Sequence, residues 1–207
     1  FLEKIFGEKF PKVVTKYYYV QFYFFARKSG QKKEEGTVIG KNPSNWYTRN
    51  WYTRNGLWTS WYYNGKMERE RTYKDGKKDG ISTWWYENGQ KKREATYKDG
   101  ERDGLWTRWY ENGQKDYEST WKDGKKDGLY TAWYSNGQKS EEGTYKAGKR
   151  VGKSVTYWYK TGKKKYEGTY KNGKKDGLWT FWYVNGKKEK EETYKNGKVY
   201  HKGVEVP

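Results

Sequence analysis

The residues best suited to chemistry in this chain recur in a short charged stretch, WKDGKKDGLY at 121–130, YKDGKKDGIS at 73–82 and YKNGKKDGLW at 170–179. Its aspartates could ligate a metal ion, and its lysines could bind a phosphate. A calcium loop, however, needs alternating oxygen ligands and a distal bidentate glutamate, whereas lysines fill the intervening positions here. Asn172 and Asn196 replace the first aspartate in later units, which keeps an Asx-Gly turn but loses the charge. The pattern predicts turns that join strands, with no metal site and no cofactor.

The chain offers little material for catalysis. A catalytic triad needs a nucleophile, a base and an orienting acid in one pocket. The only histidine is His201, close to the C-terminus, and there is no cysteine. The other polar residues recur in every unit, which is typical of residues that maintain a fold. The sequence predicts a non-enzymatic protein without disulfide bonds.

The lysines are the more informative part of the stretch. The chain carries 45 Lys and Arg against 26 Asp and Glu, a formal charge of +19, which attracts acidic protein, anionic lipid and nucleic acid alike. No nucleic-acid-binding motif is present, so nucleic acid is the least favoured of these partners. We expect the paired lysines of the turns to form a row of positive charge, one pair per about 10 Å, from Lys77, Lys78, Lys125, Lys126, Lys174 and Lys175. The alternative is that they only keep sheet edges soluble.

A fixed period positions these turns. Glycines open successive units at a spacing of 24 residues and finally 25, at Gly56, Gly80, Gly104, Gly128, Gly152 and Gly177. In the unit at 104–127, LWTRWY and KDYESTW have the composition of strands, and the Asn-Gly between them is a hairpin signal because both residues tolerate positive φ. Both Asp-Gly pairs of KDGKKDG are expected to close the turn into the next unit. The period predicts an all-β fold, an elongated single-layer antiparallel meander of stacked β-hairpins.

Aromatic residues make up 21% of the chain, with 23 Tyr and 13 Trp, and they must form its core because the mean hydropathy is only −1.46. Strand alternation predicts a Leu-Thr-Trp face and a second, aromatic face. Trp158 joins the tryptophans of the first face if the extra residue of its unit precedes it. Aromatic side chains on both faces predict that the sheet curls into a groove or that a partner covers it. One position of the second face varies between units, so we expect partner contacts there from Trp84, Arg108 and Phe181.

The organisation predicted along the chain has three parts. Residues 1–55 are read as an irregular N-terminal cap with one degenerate repeat, 56–200 as six repeats of about 24 residues, and 201–207 as a C-terminal tail. The apolar run at 17–26 is too short to span a bilayer as a helix and predicts a buried strand. Because the chain starts at Phe1, an extracytoplasmic location or one peripheral to a larger assembly fits, and the compartment stays open.

YKDGERDG at 97–104 and GLWTRWYENGQ at 104–114, which share Gly104, together resemble the MORN repeat in its bacterial-type variant, which also carries an antitoxin-like label. The resemblance covers about 56–200 and implies a single-layer sheet of hairpins with binding or scaffolding work. It favours another protein as the partner. Two alternatives remain open: peripheral binding to anionic lipid or another polyanion through the basic turns, and self-association through the open sheet ends into filaments.

Overall fold

The computed structural model describes residues 18–25, 32–40, 52–201 and 204–205, with side chains for 34–37 and 53–200. These residues form sixteen β-strands and no helix. The strands are β1 (Tyr18–Phe25), β2 (Lys32–Gly40), β3 (Tyr52–Trp61), β4 (Met67–Lys74), β5 (Lys77–Trp85), β6 (Lys91–Lys98), β7 (Glu101–Trp109), β8 (Lys115–Lys122), β9 (Lys125–Trp133), β10 (Lys139–Lys146), β11 (Lys149–Tyr157), β12 (Lys164–Lys171), β13 (Lys174–Trp182), β14 (Lys188–Lys195), β15 (Lys198–His201) and β16 (Val204–Glu205).

The strands fall into two compact units. The first lies within residues 1–89 together with Tyr97–Gly100, and the second comprises Gln90–Thr96 and the chain from Glu101. In the first unit β1 to β5 pair antiparallel in chain order, and in the second unit β7 to β16 do the same. The predicted all-β, single-layer antiparallel meander is confirmed. The strand predicted at 17–26 is β1, and much of the predicted cap, including 41–51, lies outside the described residues.

The turn that joins one repeat to the next is shorter than the sequence predicted. Asp123 and Gly124 have φ of 46° and 73°, and they alone separate the paired Lys122 and Lys125. Positive φ at both central residues is the geometry of the two-residue hairpin turn that suits the strand twist. The prediction that the second Asp-Gly pair closes this turn is wrong, because Asp127 and Gly128 already lie inside β9. Gly128, at φ 124°, stands where the pairing of β8 with β9 shifts, as at a β-bulge.

In the turn within each repeat, only the glycine adopts a left-handed backbone conformation. Gly113 has φ 82° and donates its N–H to the Tyr110 carbonyl at 3.0 Å, while the Tyr110 N–H donates to the Gln114 carbonyl at 2.9 Å. Asn112 does not adopt positive φ, and its Oδ1 accepts the Gln114 N–H at 3.1 Å. The Asn-Gly hairpin is therefore confirmed, with positive φ at the glycine but not at Asn112. The loop is the longer kind in which a glycine bulge follows the turn.

The extra residue of the 25-residue repeat lies after Trp158, in the turn that leads to β12. The Trp158 N–H donates to the Lys163 carbonyl, whereas the equivalent Tyr134 N–H spans one residue fewer, to Gln138. The Trp158 indole N–H also donates to the Trp182 carbonyl at 3.0 Å, which is the role that the Tyr134 hydroxyl plays toward Tyr157. Trp158 therefore does not join the tryptophans of the Leu-Thr-Trp face.

The best-buried side chains lie on one face of each unit. Trp58 in the first unit and Trp179 in the second are 1% and 0% exposed. Each indole lies against a glycine of the neighbouring strand, Gly36 and Gly168. Each indole N–H also has a partner, since it donates to the carbonyl of Thr37 at 3.0 Å or of Thr169 at 3.2 Å. A flat ring over a glycine buries a large apolar area in a single layer of sheet.

Candidate functional site

Aromatic pairs between neighbouring strands cover one face of the second unit, which we call the ring face. Edge-to-face pairs form between Trp106 and Trp121, with ring centroids 5.4 Å apart, and between Tyr130 and Tyr145, at 5.8 Å. Trp179 and Tyr194 make the same pair at 6.1 Å. Such pairs stabilise a sheet beyond the area that they bury. The ring face consists of Trp106, Tyr117, Trp121, Tyr130, Tyr145, Tyr166, Tyr170, Trp179, Phe181 and Tyr194.

A cation lies over each set of rings. The Arg102 guanidinium carbon is 4.1 Å from the Trp106 ring centroid. The Lys126 ammonium is 4.4 Å from Tyr130, and that of Lys175 is 4.3 Å from Trp179. Contacts of this kind attract the cation to the ring quadrupole. With Arg150, which lies over Tyr145 and Tyr170, these are the ring-face cations, and each is the second residue of its strand: Arg102, Lys126, Arg150 and Lys175.

Three of the four ring-face cations have no carboxylate partner among the described residues. Arg150 pairs with Glu141 and donates to the Tyr145 hydroxyl at 2.8 Å. Arg102, Lys126 and Lys175 lie over rings and form no ion pair with a described side chain, although the charges of Glu141 and Glu192 act on Lys126 and Lys175 from a greater distance. Burial lowers the pKa of both the Lys126 and Lys175 ammonium groups, and the nearby Arg150 charge lowers that of Lys126 further. Positive charge is thus held on this face at some cost in desolvation.

The opposite side of the second unit, which we call the leucine face, carries a row of ion pairs, with Lys125, Lys149 and Lys174 exposed at its edge. Leu105, Leu129 and Leu178 are 51%, 72% and 56% exposed there. The first lysines of the strands that follow the Asn-Gly turns, and Lys164 after the Thr161-Gly162 turn, pair with glutamates of their own strands at 2.6–2.8 Å. These pairs are Lys91–Glu94, Lys115–Glu118, Lys139–Glu142, Lys164–Glu167 and Lys188–Glu191. Lys139 and the Tyr157 hydroxyl hold the pKa of Glu142 below its usual range.

The aspartates of the charged stretch also act within the fold. The Asp127 carboxylate accepts the backbone N–H of Ala147 at 3.2 Å and pairs with Lys146 at 3.0 Å. Asp103 and Asp176 accept the equivalent N–H of the following turn. Each aspartate therefore caps the turn one repeat further on and offers little charge to a ligand. Among the described side chains, no three acidic, histidine or cysteine groups are placed to hold a metal ion.

The predicted lysine row divides between two sides of the sheet. Lys77, Lys125 and Lys174 are exposed, whereas their neighbours Lys78, Lys126 and Lys175 are half-buried among rings. Consecutive residues of a strand point to opposite faces, so a lysine pair cannot present both charges together. The sequence reasoning missed Arg102 and Arg150 because it followed the Lys-Lys dipeptide. The residue before each Asp-Gly or Val-Gly would have revealed them.

The variable position, which holds Trp84, Arg108 and Phe181 in different repeats, lies among the aromatic rings. At least one of these residues, Arg108, has an acidic partner on the neighbouring strand. Arg108 pairs with Asp116 and lies 4.7 Å over the Tyr117 ring. Phe181 lies 6.1 Å from Tyr166. In the first unit, Trp84 lies beneath the Lys78 ammonium at 5.6 Å. The structure thus places Arg108 and Phe181 on the ring face with Lys126 and Lys175, and Trp84 with Lys78 in the first unit.

The first unit carries related cation and ring contacts, and an acid neutralises its two arginines. The Arg54 guanidinium lies 4.3 Å over Trp58, and Arg71, which is 9% exposed, pairs with Glu34 at 2.5 Å. Arg54 lies 3.6 Å from the same carboxylate. These two arginines are therefore ion-paired, unlike Arg102, Lys126 and Lys175 in the second unit.

Hairpin repeats with aromatic pairs on one face define a β-repeat protein. The MORN repeat variant model matches 54–75, 78–99, 102–123, 126–147, 153–172 and 175–196, and the chain belongs to this family. MORN repeats are in general non-enzymatic modules that bind proteins or lipids. The sequence matches no curated protein. Among the described residues, no helix is both long and apolar enough to cross a bilayer.

Proposed function

We propose that this chain is a non-catalytic scaffold that binds an acidic protein partner through the ring face. The observation that carries the proposal is the set of half-buried cations on the ring face. Arg102, Lys126 and Lys175 lie over aromatic rings and form no ion pair with a described side chain, whereas five lysines of the leucine face pair with glutamates of their own strands. A partner that brings carboxylates to this face would gain ion pairs in a partly desolvated site.

Contacts at the variable position would give this interface its specificity. Its side chains differ from unit to unit, as Arg108 and Phe181 do, while the surrounding frame hardly changes. Aromatic and arginine side chains dominate the binding energy of protein interfaces, and they lie beside the cations here. The frame would position the cations, and the variable residues would select among acidic partners.

The test is capture of a partner from an extract of the source cells at two salt concentrations. Arg108→Ala and Phe181→Ala together should weaken capture by about tenfold, as expected when interface anchors are truncated. Leu105→Ala and Leu178→Ala together are the matched control on the leucine face and should leave capture unchanged. Unchanged capture by the first double variant would contradict the proposal, as would binding to anionic vesicles in place of a protein.

A further inference from the structure

We infer that the ring face recognises a linear acidic peptide in the polyproline II conformation, with a carboxylate at every third residue, lying across strands β7 to β13. This inference rests on the proposed function and specifies the chemistry of its partner. Its basis is the repeat distance of the ring-face cations together with the aromatic rings between them.

The cations repeat at a distance set by the sheet. Arg102, Lys126, Arg150 and Lys175 each occupy the second position of a strand, and these strands alternate with the partners β8, β10 and β12. Neighbouring strands lie about 4.8 Å apart, so successive cations are separated by roughly 10 Å. Because Arg150 already pairs with Glu141, a ligand that pairs with Arg102, Lys126 and Lys175 must present carboxylates on one side at this interval or at twice this interval.

Polyproline II is the backbone conformation that meets this requirement with a short repeat. It advances about 3.1 Å per residue with three residues per turn, so every third side chain returns to the same side after about 9 Å. A β-strand covers a similar distance in three residues, but its third side chain points the opposite way. An α-helix needs about seven residues for the same advance, and its curved surface leaves the rings between cations uncovered.

The side chains between the cations suit the rest of such a ligand. Trp121 pairs with Lys126 across the strands, and its ring lies 4.5 Å from the Arg102 guanidinium carbon. Tyr170 pairs with Lys175 in the same way, and its ring lies 5.3 Å from the Arg150 guanidinium carbon. Aromatic surfaces bind proline-rich segments because the preformed helix loses little entropy on binding.

The experiment measures binding of two labelled peptides with the same composition to the full chain. One repeats Glu-Pro-Pro, and the other carries the same number of glutamates clustered at one end. We expect the repeating peptide to bind about tenfold more tightly, the gain expected when two or three further ion pairs form. Equal affinity for the two peptides would overturn the inference. So would tighter binding of a helical peptide with glutamate at every seventh residue.

Two charge-matched variants locate the site. Arg102→Gln, Lys126→Gln and Lys175→Gln together should weaken the repeating peptide about tenfold, whereas Lys125→Gln, Lys149→Gln and Lys174→Gln, which remove the same charge on the other side, should leave it within about twofold. Equal losses in both variants would overturn the inference. Near-ultraviolet circular dichroism checks folding, and the peptide comparison on the unaltered chain stands if the first variant unfolds.

The two proposals fail in different ways. If both peptides bind equally but still need the ring-face cations, the spacing inference is wrong and the acidic protein partner stands. If neither peptide binds and only RNA or anionic vesicles do, both are wrong. Vesicles of phosphatidylserine and a single-stranded RNA of matched charge are the probes for that outcome.

Discussion

At the scale of single residues, the fold depends on what lies under each indole. Gly168 and Gly143 occupy the same repeat position, but Trp179 lies on the first, whereas the second faces the smaller Ser154. In two other repeats the same position holds Ala95 or Ser119, both almost fully buried, because the overlying ring there has a different orientation. The sequence predicted the aromatic face, but it could not predict which glycines an indole covers, because this depends on the side-chain orientation.

Gly168→Ala should destabilise the chain by about 1–3 kcal/mol or more, because a methyl group there would overlap the Trp179 ring. Gly143→Ala is the matched control and should cost less, since its added carbon would lie 3.3 Å from the Ser154 hydroxyl. Urea unfolding followed by tryptophan fluorescence measures both. Equal losses would show that Trp179 does not set the requirement for glycine.

The tyrosines of the ring face predict a loss of stability in alkali. Burial, followed by the nearby Glu141 charge, raises the pKa of Tyr130 to about 12, and burial with a hydrogen bond to Glu192 does the same for Tyr194. The fold favours the protonated phenol, so this stabilisation is fully present below pH 10, the ordinary value, and is lost as the pH rises toward 12.

Absorbance of the phenolate and the urea midpoint, both followed from pH 9 upward, measure this effect. Tyr130→Phe keeps the ring but removes the ionising group, so its urea midpoint should fall less steeply in alkali than that of the unaltered chain. Identical alkaline profiles would contradict the assignment to Tyr130.

At the scale of elements, the period of the sequence predicted the hairpins but not the different backbone conformations of their two kinds of turn. The Asp-Gly turn takes positive φ at both residues, whereas the Asn-Gly turn takes it only at glycine. The second Asp-Gly pair resembles a turn in sequence, yet Asp127 caps the Ala147 N–H from inside a strand. Dipeptide composition cannot separate these roles, because the hydrogen-bond partner lies 20 residues away.

Ala147 is the exception among the turns and predicts a stabilising substitution. It has φ 48° where its counterparts are Asp or Asn, and this region costs an ordinary L-residue about 1–2 kcal/mol. Ala147→Asn should therefore raise stability by up to about 1 kcal/mol, because asparagine tolerates this conformation. Thermal unfolding measures it, and Asp123→Ala should cause a loss of similar size. A neutral or destabilising Ala147→Asn would contradict the backbone argument.

At the scale of the whole molecule, the net charge of +19 is unevenly distributed between ion-paired and unpaired cations. Composition predicted an anionic partner but could not locate its site, since adjacent lysines diverge to opposite faces and many lysines have glutamate partners. The unpaired cations emerge only once the strand register is known. On our proposal, the ring face is where the charge is available to an acidic protein.

Site-specific photo-crosslinking tests this central proposal most directly. A photoreactive residue at Ala132, which pairs with Tyr117 and Glu141 beside the ring-face cations, reports on that face. The same residue at Leu129, which is 72% exposed, reports on the leucine face. In an extract of the source cells, we expect a salt-sensitive protein adduct at Ala132, mapped to an acidic segment, and none at Leu129. An adduct confined to Leu129, or adducts only with lipid, would contradict the proposal.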